Sequence, residues 1–362
     1  MRTLAVTGVF SPLGRHIAQV ASSFGVRVLG IDLKPMTRTF PGIEFIEADL
    51  RNPLIAELFK AEKVDAIVHC AFRWRQRRTE EVFDSNVLGT MRLLGAAALA
   101  GVQKVILPSS TVVYGANPEN PAFLHEDSDF QGAPAYAYVR ELREIETFVN
   151  GFRRQQPDMV ITTLRFANIL GGGMSSPLAL LLSLPAAPIL LGFDPLVQVI
   201  HHDDVVRALG QCIITDHNGV FNVAAPGPLP LVKLLALAGV PPTPLIHPFA
   251  YYGFRMGRLI SSKAYEMAPL PWDYLRYPWV ADTRRMENEM GFVPAIDAET
   301  TVRQFGEAVR KHRYASNQAY RFAVNRVNGL TTVSRMTYGT ARQVGRRTQA
   351  AFDSLTTPLT EE

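Results

Sequence analysis

The chain has 362 residues, of which 47% are hydrophobic and 19% are charged. That balance is typical of a folded globular protein and excludes a disordered chain, and two cysteines exclude a disulfide scaffold or a four-cysteine zinc site. The formal net charge of +4 arises near the carboxyl terminus, where residues 315–352 hold six arginines and no acid. We expect no leader, no apolar run is long enough to span a membrane, and we expect a cytoplasmic protein.

Short apolar runs alternate with amphipathic segments of helical length over the first 170 residues. The runs that predict strands are residues 4–7, 26–30, 43–46, 66–69, 104–107 and 160–164. The segments that predict helices are residues 13–24, 54–61, 80–100 and 136–152. This alternation predicts βαβ units and an α/β fold with a doubly wound parallel sheet.

The pattern changes after about residue 170, where prolines become frequent. We therefore predict a sheet domain over residues 1–172, to which strands near 197–223 return, and a smaller lobe over residues 173–312 that covers the carboxyl edge of the sheet. Residues 313–362 form a basic tail in this interpretation. Its arginines suit contact with an anionic surface, and they equally suit a disordered solubilising or oligomer-contacting tail.

A glycine-containing turn follows the first predicted strand. Residues 7–14 read Thr-Gly-Val-Phe-Ser-Pro-Leu-Gly, with Ser11 where a middle glycine is expected. Glycine lets the backbone approach a pyrophosphate closely, and the start of the following helix offers free N–H groups to the phosphates. An ordinary strand–helix turn gives the same pattern, so both interpretations stay open at this point.

Asp32 follows the second predicted strand. Its distance from the glycine turn is about that at which an acid accepts hydrogen bonds from an adenosine ribose. A carboxylate there repels a 2′-phosphate, which favours NAD over NADP, and Lys34 weakens that preference slightly.

Further motifs follow in a fixed order along the chain. They lie at residues 48–51 (Ala-Asp-Leu-Arg), 67–71 (Ile-Val-His-Cys-Ala), 86–90 (Asn-Val-Leu-Gly-Thr), 109–115 (Ser-Ser-Thr-Val-Val-Tyr-Gly), 136–140 (Tyr-Ala-Tyr-Val-Arg), 164–168 (Leu-Arg-Phe-Ala-Asn), 200–205 (Ile-His-His-Asp-Asp-Val) and 219–223 (Gly-Val-Phe-Asn-Val). With the glycine turn and Asp32, this series resembles the extended short-chain dehydrogenase/reductase family over roughly residues 3–305. The resemblance is to its NAD-dependent epimerase/dehydratase group, which includes UDP-glucose 4-epimerase.

The resemblance implies a Rossmann-type NAD-binding domain with a small carboxyl-terminal substrate lobe. Within it, Asp49 and Leu50 would contact the adenine, Cys70 and Ala71 would line the pyrophosphate, and Asn86 would brace the fourth and fifth strands. The full set of cofactor-binding residues implied is Thr7, Gly8, Ser11, Pro12, Leu13, Gly14, Asp32, Asp49, Leu50, Cys70, Ala71, Asn86, Ser109 and Phe166.

The resemblance also implies a catalytic group of Ser110, Tyr136 and Arg140. Ser110 matches the family's serine or threonine that hydrogen-bonds the reacting oxygen, and Tyr136 matches the tyrosine that takes the substrate proton. The family has lysine four residues after that tyrosine, whereas this chain has Arg140. Arginine keeps the charge but not the compact ammonium. Three interpretations follow: catalysis supported by arginine, weakened or lost redox chemistry, or a different alignment that uses Tyr138, for which Leu142 supplies no cation.

One further departure bears on the reaction, and several other residues bear on the substrate. Family dehydratases carry an acidic pair after the catalytic Ser/Thr, and this chain has Thr111 and Val112, so dehydration is not expected. Asn168 and Thr111 match substrate-contacting positions. Arg73 and Arg75 begin an arginine-rich loop that suits a diphosphate, and a solvated loop or a subunit contact is the alternative.

The histidines have structural explanations. His69 ends a predicted buried strand and is expected to be a hydrogen-bonded core residue. The run His201-His202-Asp203-Asp204 looks like a metal cluster, but the matching family segment starts a helix, and we expect no metal site.

The sequence therefore predicts an NAD-dependent epimerase or dehydrogenase that acts on a nucleotide-diphosphate sugar, with a homodimer suggested by the family. One alternative is a hydroxysteroid- or isoprenoid-type alcohol dehydrogenase, because the apolar stretches 178–191 and 229–245 suit a lipid pocket. Another is a non-catalytic NAD-sensing protein, which Arg140 favours.

Overall fold

A computed structural model describes residues 3–35, 40–73, 80–132, 136–174, 176–246, 270 and 272–312 of the chain. Residues 1–306 form one compact unit, and residues 307–362 form a second. The predicted basic tail, residues 313–362, lies outside the described residues. In the described part, no helix is both long and apolar enough to cross a membrane.

Seven parallel strands form the main sheet, in the order β11-β6-β5-β4-β1-β2-β3. Their bounds are β1 Thr3–Thr7, β2 Arg27–Asp32, β3 Ile43–Glu47, β4 Ala66–His69, β5 Lys104–Ser110, β6 Val160–Phe166 and β11 Gly219–Val223. The crossover from β3 back to β4 reverses the strand order and leaves a switch point between β1 and β4. The prediction of a doubly wound, Rossmann-type α/β fold is confirmed.

Helices cover both faces of this sheet. Those in the first 160 residues are α1 Pro12–Ser23, α2 Ile55–Ala61, α3 Glu80–Phe83, α4 Gly89–Ala100 and α5 Ala137–Gln155. The sequence predicts one helix over residues 80–100, but a π-helical turn, Asp84–Leu88, separates α3 from α4. That turn carries Asn86, whose side chain bonds to two other elements described below.

Two apolar layers sandwich the sheet. Leu4 and Val6 of β1 pack with Ile17 of α1 on one face, whereas Ala5 of β1 packs with Leu93 of α4 on the other. Successive side chains of a strand point to opposite faces, so the continuous apolar run of β1 fills both layers.

Short elements after residue 166 build the remainder. The strands are β7 Asn168–Leu170, β8 Ala187–Leu190, β9 Leu196–Val197, β10 Val199–His201, β12 Leu229–Pro230 and β13 Pro242–Leu245. The helices are α6 Pro177–Leu182, α7 His202–Ile214, α8 Leu231–Ala238, α9 Arg284–Asn288 and α10 over residues 298–312. Three two-stranded pairs join β7 to β10, β8 to β13 and β9 to β12. The division of the chain at residue 172 stays a prediction. β11 runs beside β6 in the main sheet.

A hydrogen bond ties this later part of the chain to the end of β5. The Tyr274 hydroxyl, in the 3₁₀ turn Trp272–Leu275, donates to the Val112 carbonyl at 2.9 Å. Val112 lies in the 3₁₀ turn Thr111–Tyr114 that directly follows β5. The later elements therefore reach the carboxyl edge of the sheet, where the predicted site lies.

Candidate active site

The turn between β1 and α1 brings backbone very close to the end of β4. Gly8 has φ +67°, and a Cβ on it would lie 2.6 Å from the backbone of Cys70 and Ala71. A Cβ on Gly14 would collide with the Gly8 carbonyl. We call this pair of bare positions the glycine cradle. It lies at the switch point of the sheet, where doubly wound folds bind their ligands.

The first turn of α1 has the features that favour a bound anion. Ser11 is the N-cap, and its hydroxyl accepts a hydrogen bond from the Gly14 amide at 3.0 Å. Pro12 occupies the start of the helix, where its missing N–H costs nothing, and Leu13 packs half-buried against the core. The dipole and free N–H groups of α1 therefore point at the cradle.

Asp32 ends β2 beside this turn. Its carboxylate accepts hydrogen bonds from the amides of Phe10 (3.0 Å) and Lys34 (3.1 Å), which fix its orientation. Asp49 lies after β3 and forms a two-pronged ion pair with Arg51, which lowers the pKa of Asp49. Leu50 is half-buried against the core next to it. Asp32 thus lies at the position expected of a ribose acceptor.

A buried hydrogen-bonded chain runs behind the cradle. The Thr7 hydroxyl is 2.7 Å from His69 Nδ1, and His69 Nε2 is 2.9 Å from the Thr90 hydroxyl, which donates to the Asn86 carbonyl. Complete burial lowers the pKa of His69 to about 4, so its ring is neutral at pH 7. Both nitrogens are satisfied, which confirms His69 as a core residue. Burial also raises the pKa of Cys70 to about 12, so its thiol stays protonated.

Asn86 joins three elements at the end of β4. Its side-chain oxygen accepts from the Arg73 amide at 2.9 Å, and its nitrogen donates to the Arg73 carbonyl at 3.0 Å and to Glu141 of α5 at 2.7 Å. Asn86 therefore fixes the start of the arginine-rich loop. The Arg73 side chain pairs with Glu81 at 3.0 Å, and Arg75 lies outside the described residues. Sequence reasoning missed Glu141, because nothing local marks it as the partner of a residue 55 positions away.

Ser109 and Phe166 turn toward the interior. The Ser109 hydroxyl donates to Glu146 at 2.5 Å, and the Phe166 ring is in the core. Glu146 also pairs with the buried Arg165 at 2.7 Å, and Arg165 donates to the Tyr114 hydroxyl at 2.6 Å. Any contact of Ser109 or Phe166 with a cofactor is thus left to their backbone atoms. The sequence does mark these two residues as unusual. Glu146 is a charged residue on the apolar face of α5, and Arg165 is a charged residue within the apolar strand β6.

Ser110 stands at the carboxyl end of β5. Its side chain accepts a hydrogen bond from the Val112 amide at 3.3 Å and caps the 3₁₀ turn that follows. Thr111 is 2% exposed and Val112 is 8% exposed. The positions directly after Ser110 therefore offer no acid to a substrate.

Tyr136 and Arg140 lie at the beginning of α5. Tyr136 is the N-cap, and its carbonyl accepts from the Arg140 amide at 3.2 Å, so the two residues are one helical turn apart. Gly132 lies between this helix and the turn that Ser110 caps, since a Cβ on it would meet both the Val139 side chain and the Val112 carbonyl. The 3₁₀ turn that Ser110 caps and the start of α5 therefore pack close together at one edge of the sheet. Tyr138 is buried beside Tyr136, with their ring centroids 6.3 Å apart.

Asn168 lies in β7 at the same edge. Its side-chain nitrogen donates to the Gln198 carbonyl at 2.8 Å, just before β10. That bond braces the β7–β10 pair and leaves its side-chain oxygen as the atom that would meet a substrate.

Comparison with known proteins agrees with this arrangement. Residues 4–224 match the family described as the NAD dependent epimerase/dehydratase family. The chain belongs to the NAD-dependent epimerase/dehydratase family. The cofactor of that family is NAD, and the glycine cradle, the α1 N-terminus and Asp32 fit such a dinucleotide.

Individual relatives cover different shares of this epimerase/dehydratase chain. An uncharacterised protein of Mycobacterium bovis is 32% identical over 323 residues, covering 85% of this chain and 84% of its own. A dTDP-4-dehydro-6-deoxy-D-allose reductase of Streptomyces bikiniensis is 28% identical over 189 residues, covering 48% of this chain and 57% of its own.

Solved structures show the same fold. The UDP-glucose 4-epimerase of Thermotoga maritima with UDP-glucose aligns with a TM-score of 0.66 at 19% identity, over 86% of this chain and 99% of that one. The UDP-glucose 4-epimerase of Stenotrophomonas maltophila, with bound NAD and formylated UDP-arabinopyranose, aligns at 0.66 and 20% identity, over 87% and 100%.

Proposed function

We propose that this protein is a cytoplasmic NAD-dependent epimerase or dehydrogenase that acts on a nucleotide-diphosphate sugar, by hydride transfer at a carbinol carbon. The observation that carries the proposal is the close packing of the turn that Ser110 caps and the start of α5, at the sheet edge that also holds the glycine cradle. Oxidation of a secondary alcohol is served by a hydroxyl that hydrogen-bonds the substrate oxygen, a phenol that takes the substrate proton and a cation that stabilises the phenolate.

Bound NAD supplies the nicotinamide carbon that accepts and returns a hydride. Within the chain, Ser110 would hydrogen-bond the substrate oxygen and fix its position. Tyr136 would take the hydroxyl proton as the carbonyl forms and give it back on reduction. A free phenol has a pKa near 10, so that role needs a nearby positive charge at pH 7. The Arg140 guanidinium, one turn along α5, would provide it.

The substrate class rests on charge and on the residues after Ser110. Arg73, fixed through its backbone by Asn86, begins a loop whose arginines suit a diphosphate. Because Thr111 and Val112 are buried and not acidic, elimination of water lacks its catalyst. Epimerisation and simple oxidoreduction both remain within reach of Ser110, Tyr136 and a cation.

The lipid-alcohol alternative has less support. Its expected pocket-lining stretches instead fill the core: Leu178, Leu181 and Leu182 of α6 pack with Leu234 and Leu235 of α8. The NAD-sensing alternative is favoured by Arg140 alone, and it differs from the enzyme only in lacking turnover.

A substrate panel tests this proposal. The protein with NAD is incubated with UDP- and dTDP-hexoses, and separately with sterol and isoprenoid alcohols, while reduced cofactor is followed by absorbance and the sugars by chromatography. We expect a new sugar nucleotide or reduced cofactor only with the nucleotide sugars. Turnover of the lipid alcohols alone would overturn the substrate class. Binding of NAD without any turnover would favour the sensor.

A further inference from the structure

Four side chains capable of ligating a metal meet where α1 packs beside α7, on a surface that the proposed reaction does not use. We call His16, His201, His202 and Asp203 the histidine cluster. His16 comes from the second turn of α1, whereas the other three are consecutive residues at the start of α7. Asp204 is not a member, because it is fully buried and bonded to the amides of Ala295 and Ile296.

The donor atoms of the three consecutive residues have the spacing of ligands that share one ion. His202 Nε2 is 3.0 Å from one Asp203 oxygen. His201 Nδ1 is 3.5 Å from the other, and it also accepts a hydrogen bond from the Asp203 amide at 3.3 Å as the N-cap of α7. One donor atom from each of the three lies within 4.8 Å of the others. Ligands about 2.1 Å from a tetrahedral or octahedral zinc ion stand roughly 3.0 to 3.5 Å from each other.

His16 lies near His202 from the other helix, outside the group of three whose donor atoms lie within 4.8 Å of one another. Its ring centroid is 5.9 Å from that of His202, and the centroids of His201 and His202 are 4.4 Å apart. His16 Nδ1 is buried and has no hydrogen-bond partner among the described residues. Buried polar atoms nearly always have a partner, so this nitrogen calls for an explanation such as an ion or a water molecule.

The cluster is held in place and remains accessible. The backbone at Gly171 and Gly172 lies against the His202 ring, because a Cβ on either glycine would lie 2.5 Å from a ring atom. The side chains of His16, His202 and Asp203 line an open groove of about 620 Å³ between α1 and α7. An ion therefore has both a fixed ligand and a route of entry.

The charges around the histidine cluster act in both directions on a cation. Asp203 provides the negative charge and is mostly exposed. Arg15 and the start of α7 oppose a cation, whereas the nearby Arg207 is already paired with Asp204.

We propose that the histidine cluster binds one divalent transition-metal ion, with Zn²⁺ as the best match to imidazole and carboxylate ligands. The ion joins α1 to α7 and so stabilises the helix whose N-terminus faces the glycine cradle. Its role is structural. The sequence prediction of no metal site had considered residues 201–204 alone, and only the fold brings His16 to them.

Calorimetry and thermal unfolding test the proposal on the full chain. Chelator-treated protein is titrated with Zn²⁺, and with Co²⁺ for its visible absorption, in the wild type and in His16→Gln, His202→Gln and Asp203→Asn. His217→Gln is the matched control, because His217 is a histidine outside the cluster, beside Thr215. The Asp203→Asn variant changes an exposed side chain, so it folds even where a histidine variant does not.

We expect one Zn²⁺ per chain, a rise in Tm on binding, and Co²⁺ absorption bands typical of nitrogen and oxygen ligands. Each cluster variant should weaken binding by about tenfold or more, and His217→Gln should not. The proposal is overturned if the wild type binds no stoichiometric metal, or if the cluster variants bind Zn²⁺ as tightly as the wild type. NAD binding and turnover do not enter this test, so its outcome is independent of the proposed function.

Discussion

At the scale of single residues, His69 shows how burial ties the site to stability. Its ring lies between the hydroxyls of Thr7 and Thr90, directly behind the glycine cradle. Neither hydroxyl can balance a positive charge on the ring, and the surrounding burial disfavours that charge. Protonation of His69 therefore acts against the folded state.

This predicts a loss of stability in mild acid. The folded pKa of His69 is about 4 and the ordinary value is 6.5, so the unfolded chain binds more protons between these limits. The His69 contribution to the free energy of unfolding is unchanged above pH 6.5, and it falls as the pH drops toward 4. Between pH 7.5 and 4.5 the loss from this residue is roughly 2–3 kcal/mol.

Urea unfolding of the wild type and His69→Gln at both pH values measures this difference. Other histidines contribute equally to both proteins, so the wild type should lose more stability than the variant over the same interval. Equal losses in the two proteins would show that His69 does not carry the effect.

The contacts of single residues were the hardest feature to predict from the sequence. Asp32 was predicted because it follows the second apolar strand at the distance expected of a ribose acceptor. Ser110 was implied by its match to the family's catalytic serine or threonine. The partners of buried polar groups were missed, as with Glu141 beside Asn86, since they join residues far apart in the chain. Only the fold reveals which charged side chain lies opposite another.

At the scale of elements, the β1–α1 turn depends on the absence of side chains. Gly8 has a positive φ, and a Cβ on it would also lie 2.6 Å from the backbone of Ala71, whereas Gly25 has φ +77° with open space around it. Both glycines have a positive φ, but only Gly8 lies against other backbone atoms. Alanine substitutions at the two positions therefore distinguish the free-energy cost of the backbone conformation from the cost of a steric clash.

Gly8→Ala should therefore be much more damaging than Gly25→Ala. The Gly25 change costs about 1 kcal/mol of stability from its left-handed backbone alone. The Gly8 change adds a steric clash that moves the turn away from Ala71, so it should lower Tm further and abolish NAD binding in calorimetry. A Gly8→Ala protein that binds NAD like the Gly25→Ala control would contradict the cradle.

The strands and long helices followed from the sequence because their apolar periods are strong. The π turn Asp84–Leu88 did not, because its residues continue the helical pattern on both sides and no local signal marks the extra residue. The short strands after residue 166 were also not predicted one by one. The strands of the three two-stranded pairs span two to four residues each, which is too short for a hydrophobic period to be recognised.

At the scale of the whole molecule, the order of the motifs along the chain and the seven-stranded parallel sheet both agree with the NAD-dependent epimerase/dehydratase family. Fold alone does not fix a reaction, which depends on the groups at the site. The central claim is therefore that Ser110, Tyr136 and Arg140 still perform the alcohol chemistry that the family's lysine normally supports.

The most direct measurement is turnover of a nucleotide-sugar substrate by the wild type, Tyr136→Phe, Tyr138→Phe and Arg140→Lys. Loss of a general acid–base group typically lowers kcat by about 100-fold or more. We predict that loss in Tyr136→Phe, a much smaller change in the neighbouring Tyr138→Phe, and equal or higher kcat in Arg140→Lys. A large loss in Tyr138→Phe with normal kcat in Tyr136→Phe would contradict the assignment, and no turnover in any form despite NAD binding would contradict the enzyme itself.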